Sequence, residues 1–188
     1  IMAASLAKGR TTIENAAREP EVQDLCQMLN KMGAKIDGAG QSTIIINGVE
    51  TLNGCSHKVI PDRIEAGTFL IAAAATLSSI TIAPVIPEHL ESVLEKLQES
   101  GSDINIKGNS ISINTKSIKA TDIETAPFPG FPTDLQAPFT ALMAIADGES
   151  KITETIFENR MNHINLLNNM GASIRTKNNT AFINGVKE

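Results

Sequence analysis

The sequence predicts a mixed α/β (α+β) fold assembled from one repeated unit. The same succession of patterns occurs three times, each copy about 70 residues from the next. Each runs apolar helix, short turn, Thr/Ser/Ile strand, amphipathic helix, small-residue turn and two alternating strands. Each amphipathic helix ends on glycine, in Met32-Gly33-Ala34, Ser100-Gly101-Ser102 and Met170-Gly171-Ala172. Glycine is the residue that most readily turns left-handed after a helix C-terminus. The closing strands of the first and last copies even share Ile-Asn-Gly-Val, at residues 46–49 and 183–186. The period is too long for the common solenoids and points to pseudo-threefold stacking of small layers.

The elements follow in order. Thr11-Thr12-Ile13-Glu14-Asn15, Ser79-Ile80-Thr81-Ile82 and Lys151-Ile152-Thr153-Glu154-Thr155 are the three leading strands. Val22, Leu25, Leu29 and Met32 recur at three and four, as do Leu90, Val93, Leu94 and Leu97, and Ile164, Leu167 and Met170. These are half-buried helices with one polar face. Phe69–Ala75 and Ala141–Ala146 are instead apolar nearly all round. They are expected to be buried on most sides, with helices inside and sheets outside. The first copy opens within its own helix, at Ile1-Met2-Ala3-Ala4-Ser5, so the chain is expected to be a piece of a larger protein.

Composition is that of an ordinary globular domain, with 41% hydrophobic residues and a mean hydropathy of −0.02. Aromatics make up 3% with no Trp or Tyr, and the net charge is −5. Those values argue against base-stacking platforms and against nucleic acid or anionic membrane as partners. No apolar run reaches the length of a membrane span, and a cytoplasmic location is expected. Cys26 and Cys55 have no metal-ligand spacing, and His57, His89 and His163 are scattered. No metal or cofactor is expected. Cys26 reads as a core or boundary residue.

Chemistry candidates sit where the apolar helices begin. Asp62 with Glu65, and Thr133 with Gln136, have the spacing of capping boxes, each after a proline. Asp62 is read either as a cap alone or as part of a site. With Thr133 as the cap, Asp134 is left spare near a helix N-terminus, where its carboxylate should stay ionised. The preceding Ala126–Pro132, with three prolines and a glycine, is either a stiff connector or a pocket wall. Phe157-Glu158-Asn159-Arg160 and Ala16-Ala17-Arg18-Glu19-Pro20-Glu21 occupy equivalent strand-to-helix corners. Charge there is either solvated capping or a ligand contact.

Four segments together resemble the UDP-N-acetylglucosamine 1-carboxyvinyltransferase family. They are Thr11–Glu21, Pro61-Asp62-Arg63-Ile64-Glu65-Ala66-Gly67-Thr68-Phe69, Phe131-Pro132-Thr133-Asp134-Leu135-Gln136 and Phe157-Glu158-Asn159-Arg160, in the family's order. The resemblance implies transfer of the enolpyruvyl group of phosphoenolpyruvate to the 3′-hydroxyl of UDP-N-acetylglucosamine, the first committed step of peptidoglycan synthesis. It implies two similar domains of βαβαββ units around buried helices, an inside-out barrel that is incomplete here. Residues 1–60 would end the first domain, and 61–188 would supply two units of the second. By the same resemblance Asp134 is the base that meets the sugar hydroxyl, and the Ile156 backbone contacts the UDP-sugar. Asp62, Arg63, Glu158 and Arg160 lie around the cleft, with Glu19 and Glu21 as carboxylates on the opposite domain.

Two rivals stand beside this reading. One is a 5-enolpyruvylshikimate-3-phosphate synthase-like transferase, whose shikimate-binding motifs are not seen here. The other is a truncated, non-catalytic binding module. An RNA-processing relative with a similar repeat is disfavoured by the acidic charge and scarce aromatics. Besides the two substrates, the remainder of the parent chain is the expected partner, with self-association through apolar surface at Met2, Leu6 and beside Val186.

The family's reactive-cysteine loop before an Arg-Pro pair, its early Lys-Asn pair and its phosphate-binding arginines have no counterpart among these residues. Little cationic character is then left for phosphoenolpyruvate. The 188-residue chain is therefore expected to show no enolpyruvyl transfer by itself in a phosphate-release assay, and measurable turnover by the purified chain would overturn that expectation.

Overall fold

The computed structural model describes residues 1–186. By its internal contacts the chain divides into two compact units, Ile1–Ile60 and Pro61–Glu188.

The first unit contains α1 (Met2–Ser5), β1 (Arg10–Glu14), α2 (Pro20–Lys31), β2 (Lys35–Asp37) and β3 (Thr43–Asn47). Its antiparallel sheet has the order β1-β3-β2. Pro20 starts α2 at a position that needs no backbone N–H. The helix then lays Cys26 and Leu29 against Ile36, Ile44 and Ile46 of the sheet. In β3 alternate residues Ile44 and Ile46 point inward. Burial of each such side chain contributes about 1.5–3 kcal/mol relative to exposure. Cys26 is therefore a core residue, as expected, and burial pushes its thiol pKa up.

The second unit holds two copies of the pattern. The first is α3 (Arg63–Ala75), β4 (Ser79–Ile82), α4 (Glu91–Glu99), β5 (Ser102–Lys107) and β6 (Ser110–Thr115), with sheet order β4-β6-β5. The second is β7 (Ile123–Glu124), a single 3₁₀ turn (Thr133–Leu135), α5 (Gln136–Met143), β8 (Glu149–Thr153), α6 (His163–Asn169), β9 (Ser173–Lys177) and β10 (Thr180–Asn184). Its sheet runs β7-β8-β10-β9, with β7 parallel to β8 and the other pairs antiparallel. α3 and α5 pack on each other and on these sheets. Leu70, Leu135, Phe139, Leu142 and Ile152 are all fully buried between them.

The repeat extends to individual hydrogen bonds. Gly33, Gly101 and Gly171 have φ of +103°, +102° and +103°, the left-handed turn expected after each amphipathic helix. The Asn30 carboxamide exchanges two hydrogen bonds with the Ile36 backbone, at 2.8 and 2.9 Å. Asn168 does the same to Ile174 at 2.8 and 3.0 Å. Gly48 and Gly185, in the shared Ile-Asn-Gly-Val, pass so close to another backbone that a Cβ would lie 1.6 Å from the Ala7 carbonyl oxygen and 1.7 Å from that of Ala146.

α3 and α5 are buried on most sides, as expected, and exposure of their apolar residues is confined to a few positions: Phe69 is 56% and Ile145, after α5, 45% exposed. α3 packs on α5, α4, the Thr133–Leu135 turn and its own sheet, which leaves an apolar stripe through Phe69 and Ala72 facing outward. An apolar sequence licenses burial, but a neighbour must supply it. One expectation needs correction, the capping role of Thr133. This residue opens the 3₁₀ turn and makes no capping bond, and α5 starts only at Gln136. The expected surface at Met2 and Leu6 is present, at 64% and 54% exposure.

Gly48→Ala and Gly185→Ala should each destabilise their unit by about 1–3 kcal/mol, because the obstruction is backbone and cannot rotate away. Urea unfolding of the two variants measures this, and wild-type midpoints would show that the close crossings are not real constraints.

Candidate functional site

The site assembles where three segments of the second unit meet: the loop after β7, the 3₁₀ turn before α5, and the corner between β8 and α6. β8 alternates, so Ser150, Ile152 and Glu154 all face inward. Glu154, just past the end of the strand, is 2% exposed. Its Oε1 accepts from Thr125 Oγ1 at 2.9 Å and from the backbone N–H groups of Ile156 and Phe157 at 2.8 and 3.1 Å. Its Oε2 accepts from Thr133 Oγ1 at 2.8 Å. Burial pushes the carboxyl pKa up, but the donors from Thr133, Ile156, Thr125 and Phe157 outweigh it and hold the group below its ordinary value.

From Thr133 the network runs outward. Its hydroxyl oxygen accepts from Arg160 Nη1 at 2.9 Å, and Arg160 Nη2 meets Asp134 Oδ1 at 2.6 Å. The guanidinium also lies 5.1 Å from the centre of the Phe157 ring. Asp134 stands 56% exposed in this pair, and Ile156 and Phe157 are 36% and 54% exposed beside it. A cavity of about 530 Å³ opens along the Arg160 side of the corner. Among its lining groups are Glu158, Asn159, Arg160, Asn162 and Asn178.

The Ala126–Pro132 loop is closed on itself. Ala126 N–H donates to the Phe131 carbonyl at 3.0 Å and Gly130 N–H to that of Pro127 at 2.9 Å. Phe131 is buried edge-on against Phe139 at 5.3 Å between ring centres. The loop therefore delivers Thr133 and Asp134 to a fixed place. Arg63 lies over the Phe128 ring at 5.6 Å, on the flank of this loop.

Of the residues singled out from sequence, the structure brings together Asp134, Ile156 and Arg160, with Arg63 against the adjoining loop. Asp62 caps α3, accepting from Ile64 and Glu65 N–H at 2.8 and 3.1 Å. Glu158 is exposed at the cavity. Glu19 and Glu21 lie in the first unit, at the start of α2; Glu19 makes no capping bond, and its half-buried side chain keeps Oε2 without a partner among the described residues. Sequence reasoning missed Glu154 and Thr125 and gave Thr133 the wrong partner. A signal for Glu154 was present: a carboxylate at an inward-facing position of an alternating strand.

The histidines are less isolated than their spacing suggests. In the first unit His57 Nε2 lies 2.9 Å from Asp24 Oδ1 and its Nδ1 3.1 Å from Lys31 Nζ. Cys55 is a free thiol whose Sγ lies 3.8 Å from the Met28 carbonyl oxygen. Among the described residues no group of three or more His, Cys, Asp or Glu is placed to hold a metal ion. Among the described residues no helix is long and apolar enough to cross a membrane.

The family profile described as EPSP synthase (3-phosphoshikimate 1-carboxyvinyltransferase) matches residues 1–188. The chain belongs to this family. A UDP-N-acetylglucosamine 1-carboxyvinyltransferase of Prochlorococcus marinus (strain AS9601) is 81% identical over 187 residues, covering 100% of this chain and 41% of that protein. The enzyme of the same name from strain MIT 9312 is 80% identical with the same coverage. This chain thus spans 41% of the length of these curated relatives. The crystal structure of the enolpyruvyl transferase NikO from Streptomyces tendae superposes with a TM-score of 0.84 at 24% identity, over 97% of this chain and 44% of that one. That agreement concerns the fold, the repeated α/β architecture read from sequence.

The site sets a pH signature. His163 opens α6; burial, and then the Arg160 charge, push its pKa below the ordinary value, so the folded state resists its protonation. Stability should be full above about pH 6.5, the ordinary histidine value, and fall below it as the unfolded chain takes up the proton first. Glu154 has the same sign lower down: its contribution is present above about pH 4.3 and is lost as pH falls through its depressed folded value. Urea midpoints between pH 8 and pH 2 should show both declines, with His163→Gln removing the first and Glu154→Gln the second.

Proposed function

We propose that this chain is part of a UDP-N-acetylglucosamine 1-carboxyvinyltransferase. The protein would move the enolpyruvyl group of phosphoenolpyruvate to the sugar 3′-hydroxyl in peptidoglycan synthesis, in the cytoplasm. In this reading residues 1–60 end one domain and 61–188 begin the other, and the rest of the protein supplies the reactive-cysteine loop and the cations for phosphoenolpyruvate. What favours it over a 5-enolpyruvylshikimate-3-phosphate synthase is the 81% identity across the whole chain to a relative of that name.

The single observation that carries the site is the Asp134–Arg160 pair at 2.6 Å. In the transfer, the hydroxyl oxygen bonds to the phosphate-bearing carbon of phosphoenolpyruvate, the hydroxyl proton leaves, and phosphate departs. Asp134 takes that proton. Arg160 engages Oδ1, fixing the carboxylate plane and leaving Oδ2 as the acceptor, within reach of a sugar laid along the exposed face. The Ile156 N–H is already committed to Glu154, so the backbone group Ile156 offers a UDP-sugar is its carbonyl. By resemblance to the family, Asp62, Arg63 and Glu158 are also assigned to the cleft in this reading, and Glu19 and Glu21 are candidate carboxylates of the first unit. The chemistry needs no metal or cofactor, since a positioned carboxylate handles the proton.

A full-length protein carrying these residues should lose about 10²- to 10⁴-fold in kcat on Asp134→Asn, the usual contribution of a positioned base, while still binding UDP-N-acetylglucosamine. Steady-state phosphate release and a calorimetric titration check both halves. Unchanged kcat would remove Asp134 from the proposed role, and turnover with shikimate 3-phosphate in place of the UDP-sugar would replace the substrate.

A further inference from the structure

We propose that Glu154 is a positioning residue for the transfer, tying the base and the sugar-contacting backbone into one rigid element. This rests on the roles given above to Asp134 and Ile156. Those groups lie on separate segments, a turn before α5 and a corner after β8, and Glu154 bonds to both. One of its oxygens takes the N–H groups of Ile156 and Phe157, and the other takes the Thr133 hydroxyl. Thr133 has spent its only proton on Glu154, so its oxygen is oriented to accept from Arg160, which in turn holds Asp134. The chain carboxylate–hydroxyl–guanidinium–carboxylate therefore has one polarity, set at its buried end.

Burying the carboxylate is costly unless donors satisfy it. Among the described residues its donors are a pair of hydroxyls and a pair of backbone amides, with no cation among them. The carboxylate is further fixed from its own main chain: Glu154 N–H donates to the Asn179 carbonyl at 2.9 Å, and Asn179 Nδ2 donates to the Glu154 carbonyl at 2.7 Å. Glutamine has the same shape but carries an NH₂ in place of one acceptor oxygen. Directed at Thr133 it would donate where Glu154 accepts, turning the hydroxyl proton away and weakening its grip on Arg160. Directed at Ile156 and Phe157 it would set donor against donor.

The test uses the full-length frame of the strain AS9601 relative with these 188 residues in place of its matching segment, which is 81% identical. Glu154→Gln and Thr133→Val are each expected to lower kcat by about 10- to 10²-fold, the penalty of a small displacement in a reacting pair. KM for the UDP-sugar should rise while KM for phosphoenolpyruvate stays put, a split that a simple loss of folded protein does not produce. The double variant should be no worse than the poorer single one, since both cut the same chain, and Thr133→Ser, which keeps the hydroxyl, should retain most of the turnover. In the 188-residue chain, Glu154→Gln should also strip hydrogen-exchange protection from the Ile156 and Phe157 amides. Full turnover in either Glu154→Gln or Thr133→Val, or additive losses in the pair, would overturn the proposal. If Glu154→Gln does not fold, Thr133→Val against Thr133→Ser decides alone. A parent protein that turns over shikimate 3-phosphate but not the UDP-sugar sinks the substrate reading, whereas a parent active on the UDP-sugar with silent variants sinks only the role of Glu154.

Discussion

A carboxylate taken out of water must be given donors, and around Glu154 the protein supplies them from three separate segments. That requirement fixes more than one side chain. The loop after β7 must bring Thr125, the turn before α5 must bring Thr133, and the chain must fold back after β8 so that Ile156 and Phe157 point their amides inward. Thr155 adds to the lock, its N–H donating to Thr125 Oγ1 at 2.8 Å and its hydroxyl to the Thr125 carbonyl. The exposed residues of the site are thus tied to a buried carboxylate, Ile156 and Phe157 directly and Asp134 through Thr133 and Arg160.

The repeated architecture supplies the platform in a different way. The two Ile-Asn-Gly-Val segments end their strands with the same pair of contacts. Gly48 N–H donates to the Gly9 carbonyl and Val49 N–H to that of Ser5, both at 2.9 Å, while Gly185 and Val186 do the same to Gly148 and Ala144 at 3.0 and 2.9 Å. Both glycines are selected by missing volume, because the neighbouring carbonyl occupies the place of a Cβ. The strand end is thereby pinned to the end of the preceding apolar helix in each copy. In the last copy that helix is α5, whose opposite end follows directly on the turn that carries Thr133 and Asp134.

Periodicity made the helices, strands and glycine turns legible from sequence, because each depends on neighbours a few residues away. The same reasoning found Asp62 at the cap of α3 and Cys26 in the core. It failed where partners lie far off in the chain. Thr133 and Gln136 have the spacing of a capping box, yet the Thr133 hydroxyl is claimed by Glu154, 21 residues later, and Gln136 is fully buried beside Met161. Local propensity lost to a charge that had to be satisfied. Which face of the apolar α3 stays open, that of Phe69, was not legible for the complementary reason: burial belongs to a neighbour that sequence pattern does not name.

The Asp134–Arg160 pair shows how the two kinds of constraint combine. An exposed ion pair adds little to stability, typically about 0–1 kcal/mol, so stability alone does not account for an arginine held so closely. Arg160 is gripped at two points, by Thr133 and Asp134, and lies on the Phe157 ring. Its planar fork suits that geometry, and a lysine ammonium would not reproduce it. The order of the network then follows from physics: the anchoring carboxylate is buried and fully hydrogen-bonded, and the part proposed to meet a ligand is exposed. A base is useful only if its carboxylate is both open to solvent and fixed in direction. Placing the anchoring charge two groups inward, at Glu154, satisfies both demands without closing the face on which a sugar would lie.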